Sequence, residues 1–414
     1  MSAPIFGMQF SRPADEPVPV LGADFSKMLL IETSADADAT AFPIGVAKRF
    51  SSSDAATVAK LGTGLLADAV KGINAQLTGV NRGADITVVR VTEAGTVAET
   101  AANIVAALGN VAAIPSQVNA TPRLIWAGRT SFRPVDPDNE GEFLVNPVVA
   151  ALPQACETLL AISVVDVDDT ASANAIDARE TMNSQRLMPV GVAARVFEGT
   201  NVVTRAMGPR ILGLFARVDN ENEGRPFDPI ANRAIYGLAG LSRAIPFSLL
   251  DGSTEGQQML EANVSVVASG EVGVDGAVAD GGFVFIGTDN ADTGELWQQI
   301  HQVRGADYIT VKLIQITREF LGRKITADLV EAYINSILFM LRDHKAADDI
   351  LGYNKDVFIP DQNSPEQIRL GRIKLDLGIE PAPVFKRADT DIRRYRPAVE
   401  GLVSEIVARL NTVA

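Results

Sequence analysis

Short apolar segments rich in β-branched residues alternate with helical patterns along the first half of the chain, and this alternation constrains the fold most. The strand-like segments are 27–33, 86–91, 123–127, 160–167 and 188–196. The helical patterns are 53–70, 96–108, 147–159 and 171–182, with Ser53 as the expected N-cap of the first. Strands that alternate with helices at this spacing predict an α/β fold, in which helices flank a mainly parallel or mixed sheet.

The pattern changes in the second half of the chain. Residues 219–233 are rich in Asn, Asp, Gly and Pro and predict a long loop. Two strand-like segments, 264–268 and 283–286, enclose a Gly-rich connection. The patterns that follow predict helices over 297–304, 310–321 and 327–341.

Both ends of the chain have the composition of extended arms. Four prolines lie within residues 1–26, and proline both removes backbone donors and disfavours helix. In the other arm, apolar residues alternate with polar ones and glycine, which predicts a strand with one apolar face. The apolar positions are Ile373, Leu375, Leu377 and Ile379. An isolated strand needs a sheet to join, and another chain can supply it.

We divide the chain into four regions on these grounds. They are an N-terminal arm (1–26), an α/β core (27–260), a region rich in helices (261–369), and a C-terminal arm strand followed by an amphipathic helix (370–414). The last helix is expected to begin near Pro397.

Charge and cysteine content exclude several classes of function. Asp and Glu number 51 against 37 Lys and Arg, so the net charge is −14 and the chain lacks the basic surface that nucleic acid requires. Anionic membrane is disfavoured for the same reason, and no direct membrane insertion is expected. One cysteine and two histidines exclude an intrachain disulfide and leave little for a zinc site. The N-terminal sequence lacks the features of a secretory signal.

Three short motifs resemble functional sites, and each also has a structural explanation. Gly62-Thr63-Gly64 is a fragment of a phosphate loop that does not follow a strand, so we expect a helix packing contact. A solvated loop is expected for the acidic stretch formed by Asp136, Asp138, Glu140 and Glu142. Asp166, Asp168 and Asp169 end a predicted parallel strand, where a helix cap is the favoured interpretation.

The remaining reactive side chains also have structural interpretations. We expect surface or capping roles for His301 and His344, and a buried apolar role for Cys156. The charged stretch 386–396 is a solvated face, or forms ion pairs between subunits. No catalytic, cofactor-binding or metal-binding residue is predicted, and no cofactor.

Two regions of the chain resemble the contractile tail sheath proteins of bacteriophages and phage-tail-like particles. The first, GPRILGLFARVDNENEGRPFDPIANR (208–233), resembles a small strand that ends in Ala-Arg-x-Asp and a turn rich in proline. The positions that match are Pro209, Ala216, Arg217, Asp219, Gly224, Pro229, Ala231 and Asn232. In the second region, 339–353 is similar to a sheath helix that ends in a Gly-Tyr turn, and 370–385 to the C-terminal arm strand with its prolines.

The sequence departs from the sheath pattern at three places. Pro226 and Phe227 replace the tryptophan usual after Gly224, and Phe-Ile-Gly-Thr-Asp near Phe285 replaces the usual Trp-Gly-Ala-Arg-Thr. The helix after Pro397 extends beyond the end of many sheaths. These departures affect loops and the docking partner of the tail rather than the overall assignment.

The resemblance implies a structural subunit and not an enzyme. Such a subunit polymerises helically around a tail tube protein, meets baseplate and tail terminator proteins, and contracts to drive the tube through the host envelope. It would be assembled in the bacterial cytoplasm and reside in the virion tail. Both arms would pair with neighbouring subunits, through Ile373, Leu375, Leu377, Ile379 and Phe385. We expect Arg342, Asp343 and Lys345 to face the tube.

Two other functions fit parts of the sequence. An α/β enzyme that depends on a nucleotide or metal would use Gly62, Gly64 or Asp166. Another kind of self-assembling shell protein would also have arms and no active site.

Overall fold

A six-stranded mixed sheet forms the centre of the protein, as the computed structural model of residues 24–80, 82–139 and 142–411 shows. Its strands are β1 (Met28–Thr33), β2 (Ala47–Ser51), β3 (Asp85–Val91), β4 (Leu124–Ala127), β5 (Ile162–Asp166) and β6 (Leu187–Val190). They lie in the order β2-β3-β1-β4-β5-β6, and every neighbouring pair is parallel except β2 with β3. The predicted α/β fold with a mainly parallel or mixed sheet is confirmed.

Helices cover this sheet, and its central strands are buried along their whole length. The helices are α1 (Ala55–Ala59), α2 (Leu65–Gln76), α3 (Val97–Leu108), α4 (Ile114–Val118), α5 (Pro147–Leu159), α6 (Ser172–Glu180), α7 (Gly208–Glu221), α8 (Glu255–Glu261), α9 (Ile300–Phe320), α10 (Ala327–Ala346), α11 (Pro365–Arg369) and α12 (Arg396–Asn411). Every residue of β1 and β3 is buried, as expected for parallel strands covered on both faces. The pair α2 and α7 packs on β1, β4 and β5, whereas α3 and α5 pack on each other and on the sheet.

Three smaller sheets surround the central one. Their strands are β7 (Ala194–Glu198), β8 (Asn201–Arg205), β9 (Arg233–Ala234), β10 (Gly240–Leu241), β11 (Val266–Ser269), β12 (Phe283–Ile286), β13 (Ile350–Tyr353) and β14 (Ile379–Pro381). The orders are β10-β7-β8, β11-β12-β9 and β13-β14, and all of these pairs are antiparallel.

The first predicted helix is divided into α1 and α2. Gly62 lies between them with φ +75°, a left-handed conformation that ends a helix and that glycine adopts without strain. The N-cap is Asp54 and not Ser53, because the Asp54 carboxylate accepts a hydrogen bond of 3.2 Å from the Thr57 amide. The expected cap was therefore wrong by one residue.

The predicted strand 188–196 is two strands in different sheets. After β6 the amide of Gly191 donates to the Ser265 carbonyl at 3.0 Å, and the amide of Ala193 donates to Asp169 Oδ2 at 3.2 Å. These contacts replace the ladder, so the chain leaves the central sheet before β7 begins. Sequence alone shows one apolar run because β6 is buried throughout and β7 begins with the buried pair of positions Ala194 and Val196.

The two helices predicted over 297–304 and 310–321 form one continuous helix, α9. Gly305 interrupts the apolar pattern for a packing reason, since a Cβ at this position would lie 2.7 Å from the Phe227 ring. The glycine therefore marks a close contact inside the helix and not a break.

The region that resembled a sheath strand before Asp219 is a helix, α7. Pro209 lies in its first turn, a position that suits proline because its fixed φ is helical. Residues 208–219 are all buried, and the charged side chains among them have partners inside the core, Arg210 with Asp68 and Asp219 with Arg304. The expected Gly-Tyr turn after α10 is also wrong, because Gly352 and Tyr353 belong to β13.

A second, smaller apolar cluster lies around α9, α10 and β13, apart from the core beneath the central sheet. Its buried members are Phe227, Ile309, Ile337, Leu341 and Ile350. The chain forms two compact units: a core unit that ends at Ala382, and a C-terminal unit that begins at Pro383. The four regions drawn from the sequence stay a prediction in their finer boundaries.

A buried ion pair joins the start of the described chain to α7 and α9. Arg304 Nη2 lies 2.6 Å from Asp219 Oδ2, and both side chains are 1% exposed. Arg304 also donates to the Phe25 carbonyl at 3.2 Å, and the Ser26 hydroxyl donates to Asp219 Oδ2 at 2.8 Å. Of the predicted N-terminal arm, residues 1–23 lie outside the described residues, and Asp24–Ser26 form a short 3-10 helix.

We expect Asp219→Asn to destabilise the protein strongly, because it leaves the Arg304 guanidinium buried without an opposite charge. Removing one partner of a buried pair costs about 3–5 kcal/mol. The matched control is Glu400→Gln, since Glu400 pairs with Arg396 at 2.8 Å on an exposed helix, where such a pair contributes about 0–1 kcal/mol. Urea unfolding followed by circular dichroism measures both. Equal losses in the two variants would contradict the structural role of the buried pair.

Candidate assembly surfaces

The predicted C-terminal arm strand packs on the core unit of its own chain. Strand β14 pairs antiparallel with β13, with Tyr353 opposite Ile379. Leu375, Leu377 and Ile379 are half-buried and contact the second apolar cluster, while the residues between them are exposed. The alternation predicted from sequence is present, but only 379–381 forms ladder pairs. A role of these side chains between subunits stays a prediction.

Two asparagines fix this segment, and sequence reasoning did not identify them. Asn354 donates to the Asp376 carbonyl at 2.8 Å and accepts from the Gly378 amide at 2.7 Å. Asn363 donates to the Lys374 carbonyl at 2.9 Å and accepts from the Lys374 amide at 2.8 Å. Each side-chain amide replaces one residue of a partner strand, so the segment is held without a continuous ladder.

Both histidines lie where the core unit ends, and the expected surface position was wrong. His301 and His344 are buried. His301 Nε2 lies 3.0 Å from the Ala382 carbonyl, and His344 Nδ1 lies 2.8 Å from Asp349 Oδ2. The backbone of Asp349 accepts from the Ala382 amide at 3.4 Å, so both rings support the residue that precedes the C-terminal unit.

The C-terminal unit is exposed along its length. Phe385 is 85% exposed, and α12 has no buried residue. Within 383–395, charged side chains pair over two positions, Arg387 with Asp389 at 2.8 Å and Arg393 with Asp391 at 3.0 Å. Exposed pairs of this kind contribute little stability. The unit therefore has surface available for a partner.

The three candidates for contact with a tube lie at the exposed end of α10. Arg342 and Asp343 have side chains that are 63% and 74% exposed, and they lie 3.5 Å apart. Lys345 is exposed as well. The arginine also lies over the Phe339 ring at 5.0 Å. The structure places all three on one accessible helix end, and their role stays a prediction.

Only part of the apolar face of α10 is buried. Ile337 and Leu341 are buried in the second cluster, and Tyr333 packs against it. Val330 and Ile334 instead line an open groove. This groove has a volume of about 490 Å³ and is lined by Ile325, Thr326, Ala327, Val330, Glu331, Ile334, Asn335 and Phe358. We call it the α10 groove.

The glycine motif offers no cradle for phosphate. The amide of Thr63 donates to Asp36 Oδ2 at 2.7 Å, and the Thr63 hydroxyl donates to the same atom at 2.6 Å. These hydrogen bonds lower the pKa of Asp36, so a carboxylate of the chain occupies the position of an anionic ligand. Any Cβ at Gly62 would lie 2.4 Å from this carboxylate.

The aspartates at the end of β5 have structural partners. Asp166 Oδ1 accepts from the amides of Met207 and Gly208, both at 2.8 Å, and Trp126 Nε1 donates to Oδ2 at 2.8 Å. Burial raises the pKa of Asp166, while these donors favour its ionised form. Asp166 therefore caps the start of α7. Asp169, expected to cap α6, binds the Ala193 amide instead.

The acidic stretch and the cysteine, which were the other candidates for a functional site, also have structural roles. Asp136 Oδ1 accepts from the Asp138 amide at 2.9 Å, while Glu140 lies outside the described residues. Cys156 is buried, as predicted, and burial raises its pKa to about 12, so it is not a reactive thiol at neutral pH. Among the described residues, no three His, Cys, Asp or Glu side chains are grouped to hold a metal ion.

Among the described helices, only one bent pair has the length and composition of a membrane span. No single helix of the described chain is long and apolar enough to cross a membrane. The segments Val97–Leu108 and Val111–Val118, bent by 42°, satisfy length and composition together.

Comparison by sequence finds no relative. No family model matches the chain, and no curated protein matches it.

Comparison by structure finds contractile injection systems. A chain of the anti-feeding prophage baseplate, solved by cryo-EM with 6-fold symmetry, has a TM-score of 0.65 at 12% identity, covering 95% of this chain and 100% of its own. The contracted sheath of the PVC extracellular contractile injection system gives 0.64 at 11% identity, with coverage of 95% and 99%. The contracted helical sheath of the anti-feeding prophage gives 0.61 at 15% identity, with coverage of 95% and 100%. The chain has the fold of contractile sheath proteins.

Proposed function

We propose that this protein is the structural subunit of a contractile sheath. Many copies polymerise helically around an inner tube, and contraction of the polymer drives the tube through an envelope. The observation that carries this proposal is the fold shared with two sheaths solved in the contracted state, over 95% of this chain.

The division of the chain supports a polymer whose cores stay rigid. The buried Arg304–Asp219 pair and the central sheet hold the core unit together, whereas the C-terminal unit is exposed and follows an extended connection. A surface on one copy that meets a different surface on the next forms an open helical polymer. Extended connections then keep neighbours joined while the cores rotate as rigid bodies.

The small β13-β14 sheet supplies a place for such a connection. Among the described residues, these two strands pair only with each other. The outer side of β14 contacts α9, where Gln302 donates to the Pro381 carbonyl at 3.5 Å, so the outer edge of β13 is the proposed acceptor of a strand from another copy. Phe385 and the residues around it, which are exposed and extended, are the proposed donated strand.

The proposed partners are other copies of this chain, a tail tube protein, and baseplate and terminator proteins at the ends of the polymer. We infer no enzymatic activity and no cofactor, and the internal contacts of Asp166, Asp36 and Cys156 support this inference. The proposed location is the tail of a phage or phage-tail-like particle, after assembly in the bacterial cytoplasm.

Electron microscopy of the purified protein, with and without tube protein, tests the proposal. We expect hollow helical tubes at high concentration. Flat sheets or closed shells would indicate another shell protein, and a monomer in every condition would overturn the proposal.

We expect truncation after Ala382 to abolish polymerisation and to leave the core unit folded. The truncation removes the C-terminal unit but keeps β14 and the apolar contacts of Leu375 and Leu377. Truncation at 370 would expose the second apolar cluster, and Leu375→Asp would bury a charge there at a cost of several kcal/mol. Sedimentation and thermal unfolding separate loss of assembly from loss of folding. Tubes formed by the shorter chain would contradict this role of the C-terminal unit.

We expect Arg342→Glu with Lys345→Glu to weaken capture of tube protein without stopping self-assembly. Both side chains lie on the exposed end of α10, so charge reversal should leave the core intact. Contacts that must break on contraction are expected to be polar, at about 0–1 kcal/mol for each exposed pair. The matched control is Arg318→Glu with Lys324→Glu, which reverses two other exposed basic side chains. Co-sedimentation with tube at two salt concentrations measures the effect, and unchanged capture at both would exclude this helix end.

A further inference from the structure

Helix α12 has an apolar seam that its own charges leave uncovered. The seam consists of Val399, Leu402, Val403, Ile406, Val407 and Leu410, which are 47–66% exposed. They recur at three- and four-residue spacing and therefore share one side of the helix. The charged residues pair within the helix, Arg396 with Glu400 at 2.8 Å and Arg409 with Glu405. What remains without a partner in this helix is the seam.

The α10 groove has the shape and chemistry to receive such a seam. Val330, Ile334 and Phe358 give it apolar walls, and α10 provides the long side. At 1.5 Å per residue, the stretch of α10 that lines it is about 12 Å long and the seam about 17 Å, so they match within about one turn. A third helix laid beside α9 and α10 would cover this groove by ordinary helix packing.

The charge of the segment that precedes α12 also favours contact between α12 and the α10 groove. Residues 383–396 contain five basic and two acidic side chains, a local charge of +3 in a chain of −14. Arg394 has no ion-pair partner among the described residues, and neither do Asp328 and Glu331 at the start of α10. The basic segment that leads into α12 is complementary in charge to these two carboxylates, while Arg323 and Lys324 lie beyond Ile325 at the end of the groove.

We propose that α12 of one copy docks in the α10 groove of a second copy of this chain. This inference rests on the proposed function in that its partner is another subunit. Thirteen residues, 383–395, connect Ala382 to α12 and can span about 43 Å when extended at ~3.3 Å per residue. Each copy has one seam and one groove, so the contact is heterologous and repeats along a polymer. Neighbours would then be joined by a helix as well as by a strand.

Disulfide trapping between singly substituted full-length chains tests the docking. Ile334→Cys in one preparation and Val403→Cys in another are mixed under oxidising conditions, and native Cys156 does not interfere because it is buried. We expect a mixed dimer, with about tenfold less from the control pair Ala332→Cys and Val403→Cys, since Ala332 lies on another face of α10. Equal yields from both pairs overturn the docking. A crosslink that forms only within one chain carrying both Ile334→Cys and Val403→Cys also overturns the docking.

Substitutions in the seam and at the charged residues test the docking independently, and the same disulfide crosslinking measures them. Ile406→Asp should lower the yield of mixed dimer about tenfold or more, and Ala408→Asp, on the opposite side of α12, should not. Glu331→Arg and Arg394→Glu should each lower the yield, and the two combined should restore it. Lack of any difference among these variants overturns the docking.

Imaging of the same samples separates this inference from the proposed function. Tubes without the mixed dimer overturn the docking and leave the sheath proposal standing. A mixed dimer without tubes in any condition supports the docking and overturns the sheath proposal.

Discussion

The buried pair of Arg304 and Asp219 is the contact on which the rest of the core unit depends. Asp219 lies near the end of α7, which packs on the central sheet, and Arg304 lies in α9, which supports the second apolar cluster. Two fully buried charges are costly unless their hydrogen bonds are satisfied, and here Phe25 and Ser26 supply further bonds. The pair therefore fixes the orientation of α9 relative to the sheet. It gives the two halves of the core unit a single geometry.

A fixed α9 has consequences at the far end of the core unit. His301, one turn before Arg304, contacts the Ala382 carbonyl, and Ile309 lies in the second cluster beside the half-buried Leu377. The place where the chain leaves the core is thus connected through one helix to the buried pair. Residues beyond Ala382 have no comparable support, since α12 contributes no buried side chain. The core unit therefore ends at Ala382, and the apolar residues of α12 beyond it are exposed.

The sequence predicted short β-branched strands, such as β3, and helices whose caps are local. Helix α5 has the predicted bounds because Pro147 opens it and Asn146 caps it. Helix α7 was mistaken for a strand because that assignment followed the resemblance to sheath proteins, although Ile211, Leu214 and Val218 recur at helical spacing. The division of α9 failed because Gly305 accommodates Phe227, a contact between distant residues. The alternation over 373–379 was predicted, yet its partner, the chain's own second cluster, could not be read from a local pattern.

The residues that resembled an active site have hydrogen-bond partners within the chain. Parallel strands in an α/β sheet end at one edge, where enzymes place carboxylates and phosphate-binding amides. Here Asp166 takes the amides at the start of α7, and Asp36 takes the amide and hydroxyl of Thr63. Both carboxylates therefore take partners from the chain itself. Exposed apolar surface remains in the α10 groove and along the seam of α12.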